Sequence, residues 1–87
     1  MKLSYVLAVL AAAQVQARTM YCQCRMLKHG REVNYPSDTR TTCSSKQGDM
    51  YNAAWCEVDI PRGRTWESYW SDSCDDWGHC KSERPNV

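Results

Sequence analysis

The chain contains no phenylalanine, and beyond residue 17 aliphatic side chains are nearly as scarce: one leucine (Leu27), one isoleucine (Ile60) and three valines (Val33, Val58, Val87). That excludes a core of the ordinary aliphatic kind, and so short a chain is marginal without some other staple. Charge of one sign is missing as well. With Lys2 set aside, ten Lys/Arg face ten Asp/Glu. A zero balance argues against nucleic acid as a partner, because phosphate binding needs a basic excess or stripe. It argues equally against a cationic membrane-lytic peptide. The nearest thing to a basic patch, Arg62-Gly63-Arg64, reads as a solvated turn after Pro61. No serine stands in a nucleophile-elbow motif, and no Asn-x-Ser/Thr sequon occurs, so N-glycosylation is not expected.

Long apolar runs are limited to one. Leu3–Ala13 follows Lys2 and precedes Val15-Gln16-Ala17, which places small residues where a signal peptidase cuts. The run is shorter than the roughly 20 apolar residues of a membrane span. Residues 1–17 therefore read as a signal peptide and residues 18–87 as a single cysteine-rich secreted domain. No membrane insertion is expected, nor a lipid-anchor tail.

Against these absences stand six cysteines: Cys22, Cys24, Cys43, Cys56, Cys74 and Cys80. Behind a leader that routes the chain to an oxidising compartment, six thiols most simply form three disulfides. Each is worth roughly 2–4 kcal/mol by constraining the unfolded chain, so the cystines are the expected condition for folding. Zinc is the competing use. Cys22-x-Cys24 is tighter than the usual ligand spacing, and no metal or other cofactor is expected. Six cysteines allow fifteen connectivities, and the sequence does not choose among them. Geometry leans toward Cys22 and Cys24 each taking a helix cysteine, Cys43 or Cys74, with Cys56 held by Cys80.

Period-two alternation over Met20–Leu27 predicts a strand with Met20, Cys22, Cys24 and Met26 on one face. Lys28-His29-Gly30 reads as a turn and Arg31–Pro36 as a returning edge strand. Ser37 or Asp38 is expected to cap a helix running to about Lys46, with Cys43 its main inward residue. Met50–Ile60 predicts one strand, with Asn52 the exception on its apolar face. Thr65 is expected to cap a second helix, on which Trp66, Tyr69, Trp70 and Cys74 make one apolar stripe. Asp75–Val87 reads as an irregular tail tied by Cys80. The order predicts a small disulfide-stapled α+β domain, two short helices packed on a two- to four-stranded, mainly antiparallel sheet.

Tyr21-Cys22-Gln23-Cys24, the Thr/Ser-rich segment around Cys43, Trp55-Cys56-Glu57-Val58, Trp66-Glu67-Ser68-Tyr69-Trp70 and Cys74…Gly78-His79-Cys80 together resemble the small secreted cysteine-rich proteins of filamentous fungi, often classed as candidate effectors. The resemblance implies a secreted, disulfide-bonded, non-enzymatic binding protein of virulence type, acting on a host protein or a cell-wall glycan. The expected state is a monomer.

The aromatics are the clue to a binding surface. Trp66, Tyr69 and Trp70 are expected in the core. Trp55 falls opposite the apolar face of its strand beside Tyr51, and Trp77 lies in the tail, so Tyr51, Trp55 and Trp77 are the candidate contact residues. The bland alternative is that the Arg31–Pro36 edge or the tail covers them. An antimicrobial or toxin-like role against competing microbes is the second reading. A small hydrolase or ribonuclease is the third. It would need His29 or His79 paired with a group such as Glu32, Glu57 or Arg64, or a carboxylate pair from the Asp72, Asp75 and Asp76 cluster set across a cleft. That cluster lacks a calcium-loop pattern and reads as solvated charge.

Overall fold

The computed structural model describes residues 17–86, so the expected leader lies outside the described residues but for Ala17. The elements are β1 (Arg18–Lys28), β2 (Arg31–Asn34), α1 (Pro36–Ser45), β3 (Asp49–Met50), β4 (Cys56–Ile60), α2 (Trp66–Tyr69), a 3-10 turn (Ser71–Ser73) and β5 (Trp77–Lys81). They form a small α+β fold, with two helices, a five-stranded antiparallel sheet and three disulfides. The sheet has more strands than expected.

β1 is the axis of the sheet. Its first half pairs with β4 (Met20 opposite Val58) and its last residues with β2 (Leu27 opposite Glu32), while β5 pairs with the middle (Gln23 opposite His79). Cys22 is paired with both Cys56 and Cys80, and Arg25 with both Asn34 and Trp77. A residue has only two edges, so β5 occupies one side of β1 while β4 and β2 share the other. The β1–β2 turn is made by His29 (φ 54) and Gly30 (φ 76), the two left-handed residues that a tight hairpin requires.

Four expectations change. The helix around Cys43 starts at Pro36, whose missing N–H suits the first turn, and neither Ser37 nor Asp38 caps it. Asp38 instead turns inward. The strand expected over Met50–Ile60 is two strands. Asn52, the misfit on its apolar face, folds the chain back: its Oδ1 accepts from the amides of Ala54 and Trp55 (both 2.8 Å), and the Tyr51 amide reaches the Trp55 carbonyl at 2.8 Å. The second helix starts at the expected cap, with Thr65 Oγ1 accepting from the Ser68 amide, but it ends at Tyr69, and Cys74 is in extended backbone. The tail contains a strand, β5, because Gly78 and Cys80 alternate inward with Trp77, His79 and Lys81 outward.

The disulfides are Cys22–Cys80, Cys24–Cys74 and Cys43–Cys56. Cys24 takes Cys74 as geometry suggested. The expected Cys56–Cys80 pair is not formed. Cys22 faces Cys80 directly across the β1–β5 ladder, and the β3–β4 hairpin carries Cys56 under α1 to Cys43.

The core lies between the inner sheet face and the helices. Met20, Cys22 and Cys24 of β1, Cys56, Val58 and Ile60 of β4, Cys80 of β5, Cys43 of α1 and Trp70 form one buried cluster. Trp70 is fully buried, and its Nε1 donates to the Gln23 carbonyl at 3.1 Å. α1 is stitched to β1 by Thr39, whose Oγ1 accepts from the Cys24 amide at 2.9 Å and donates to Asn34 Oδ1 at 3.0 Å. Among the described residues no helix is long and apolar enough to cross a membrane.

Candidate aromatic groove on the outer sheet face

The sheet face away from the helices is not bare. Tyr21 and Gln23 point outward from β1 yet are buried, because other segments fold over them. Tyr21 packs edge-on against Tyr51 (ring centroids 5.4 Å apart) and donates its hydroxyl to Glu57 at 2.9 Å. Gln23 Nε2 donates to the Ala54 carbonyl at 3.1 Å, and its Oε1 accepts from Arg25. Arg25 in turn reaches the Glu32 carbonyl (3.2 Å) and carboxylate (3.5 Å). One polar run thus crosses the outer face from the β3–β4 loop to β2, and through Ala54 it holds the neighbouring Trp55 in place.

On this floor the outward residues of β5 build a groove. Trp77 sits opposite Arg25, His79 opposite Gln23 and Lys81 opposite Tyr21. α2 brings Trp66 edge-on to His79, with ring centroids 5.6 Å apart. The result is an open groove of about 590 Å³ lined by Trp55, Trp66, Trp77, His79, Lys81, Arg25 and Glu32. A second hollow of about 380 Å³ lies between the β3–β4 loop and the tail, reaching Pro85 and Asn86. The two share Trp55 and Lys81, and the Lys81 ammonium lies over the Trp55 ring at 4.8 Å from its centroid. The Trp55–Lys81 stack is therefore a ridge between two adjoining hollows.

Of the three candidate contact residues, Trp55 and Trp77 line this groove, and both are half-buried. Tyr51 does not. It belongs to the Tyr21 pair, where the Arg84 guanidinium lies 5.7 Å from its ring. The Arg84 Nε donates to the Tyr21 hydroxyl at 3.4 Å, and that hydrogen bond, helped by the nearby Tyr21, Tyr51 and Glu57 oxygens, holds the Arg84 pKa above its ordinary value. Tyr51 is nonetheless exposed, outside the groove. Trp66 was assigned to the core, and it packs there with one side while its other side faces the groove. Lys81, Arg25 and the network residue Gln23 went unnoticed. Gln23 and Arg25 stand on the polar face of the strand expected over Met20–Leu27, and Lys81 falls in the segment that reads as irregular.

The histidines lie apart: His29 is at the tip of the β1–β2 turn, and His79 lies in the groove against Trp66. Asp72, Asp75 and Asp76 are exposed. Ligand atoms of Cys24, Asp38 and Cys74 lie within 4.8 Å of one another, but the two sulfurs are bonded to each other and offer no thiolate. Asp38 has a structural task instead, with Oδ2 accepting from the Asp75 amide at 2.7 Å.

What fold and site define together is a small disulfide-stapled α+β protein with an aromatic groove on its sheet. Comparison with family models, characterised proteins and solved structures found no match, so the groove is argued from its own geometry.

Proposed function

We propose that this is a secreted, non-enzymatic binding protein of the effector type, released toward a host, and that the groove of Trp55, Trp66 and Trp77 is its contact surface. The observation that carries the reading is the gathering of three of the chain's four tryptophans around one open groove. Indole rings are rigid and mostly apolar with a polar tip, and they dominate the energetics of contact surfaces. The groove volume falls within the range of ligand sites, roughly 300–1,000 Å³. Secretion is supported by the apolar leader and by the pairing of all six cysteines, which suits an oxidising compartment.

The test uses the disulfide-bonded chain from residue 18, fluorescently labelled, on plant leaf tissue. Trp55→Ala combined with Trp77→Ala is expected to reduce retention by about thirtyfold, each lost anchor contributing on the order of 1 kcal/mol, while thermal melting shifts by only a few degrees. Full retention by the double variant removes the groove from the function. Growth arrest of competing microbes that survives the double variant moves the protein to the antimicrobial class.

A further inference from the structure

We infer that the groove takes an acidic oligosaccharide, a chain of sugar rings bearing at least one uronic-acid carboxylate, with a ring on Trp55 and the carboxylate on Lys81. The inference rests on the binding role proposed for the groove. The two hollows meet at one ridge, so a ligand that fills both is extended and crosses Trp55. A pyranose has a flat face of C–H bonds that lies on an indole and a rim of hydroxyls that need donors and acceptors together. The groove offers both. Trp55, Trp66 and Trp77 supply the faces, and the Arg25–Glu32 pair sets a donor beside an acceptor.

The acidic requirement comes from Lys81. A ring that stacks on the Trp55 face covered by Lys81 must displace the ammonium lying 4.8 Å from the ring centroid. A neutral sugar would break that cation–π contact and return nothing to the charge. A uronate replaces it with a charge-assisted hydrogen bond, the stronger interaction. Arg25 is engaged by Glu32, whereas Lys81 stands in no ion pair among the described residues. The groove therefore holds one cation with no carboxylate partner among the described residues, matched to one carboxylate. A run of nucleotides would bring a phosphate with each base, more charge than that cation neutralises, and Glu32 would repel it.

Tryptophan fluorescence of the disulfide-bonded chain from residue 18, titrated with a xylotriose bearing one glucuronic acid, its methyl ester and a short single-stranded RNA, tests the inference. The ester keeps the rings and removes the charge. Expected is binding of the acid, with the ester about tenfold weaker. Lys81→Gln should abolish the preference, so that acid and ester bind with equal affinity, and keep the melting temperature. Equal binding of acid and ester, indifference to Lys81→Gln, or tighter binding of the RNA overturns the inference. If no sugar binds while the Trp55/Trp77 double variant still loses leaf tissue, the glycan is wrong and the groove stands. If tissue retention is also unaffected, both fall.

Discussion

Gly78 and Gly48 each lie where a methyl group would collide with a disulfide. A Cβ on Gly78 would come within 2.5 Å of Trp70 Cδ1 and 3.0 Å of Cys74 Sγ; one on Gly48 would come within 2.6 Å of Cys56 Sγ. Neither obstacle is the free end of a flexible chain. Trp70 is fully buried and its Nε1 is tied to the Gln23 carbonyl, so it cannot step aside without losing that bond. Gly78→Ala is therefore expected to cost about 1–3 kcal/mol, the usual range for overpacking a tight core. Urea denaturation followed by tryptophan fluorescence measures it, and a midpoint equal to that of the parent chain would show that the Trp70 pocket has slack.

Of the two helices, α1 draws the less support from the helix propensity of its residues. Thr39, Thr41 and Thr42 are poor helix formers, and the helix has no side-chain cap. Its inward polar groups hold it: Thr39 on the β1 backbone, and Asp38 on the amide of Asp75, across 37 positions of sequence. Removing a buried acceptor strands its donor, at a cost of about 1–3 kcal/mol. Asp38→Ala should thus lower stability by that amount and deprotect the Asp75 amide in hydrogen exchange. Unchanged protection there would mean that Asp38 does not anchor the segment. What was legible in the sequence was local. The β1 alternation, the His29-Gly30 and Arg62-Gly63 turns and the Thr65 cap depend on neighbouring residues alone. The rest depended on distant partners. Nothing near Trp77–Lys81 marks it as a strand, because β1 supplies its hydrogen bonds. Asn52 did show as a misfit, yet its role in the β3–β4 turn appears only when Cys56 is drawn under α1. The groove was half legible. Trp55 and Trp77 stood out, whereas Trp66 and Lys81 join them only through the placement of α2 and β5.

For the whole molecule, the cystines connect what the aliphatic side chains are too few to hold. Cys43–Cys56 joins residues 13 apart, and Cys22–Cys80 joins residues 58 apart. By loop-closure entropy the first is worth about 3 kcal/mol and the second about 4 kcal/mol. A chain of this size has a net stability of only roughly 4–10 kcal/mol. Replacing Cys43 and Cys56 with alanine should leave a weakened fold, and replacing Cys22 and Cys80 a more weakened one. Full reduction should unfold the protein. Circular dichroism with and without dithiothreitol checks this, and a reduced chain that keeps its sheet would show that the Trp70 core suffices.

The position of β1 as an axis, with strands from later in the chain on both its edges, bears on how the protein matures. The first strand of the domain to be synthesised is the last to be completed, because its far edge waits for Trp77–Lys81. Until then Cys22 and Cys24 are unpaired beside Cys43 and Cys56, which are closer in sequence than Cys74 and Cys80. Cys43–Cys56 is the one native bond that can close before residue 74 arrives. Early bonds from Cys22 or Cys24 are wrong bonds, and thiol–disulfide exchange must undo them. High sequence separation makes such closure slow. Native pairing is thus expected to depend on thiol–disulfide exchange, and refolding of the reduced chain should be faster with a redox couple than with air oxidation alone.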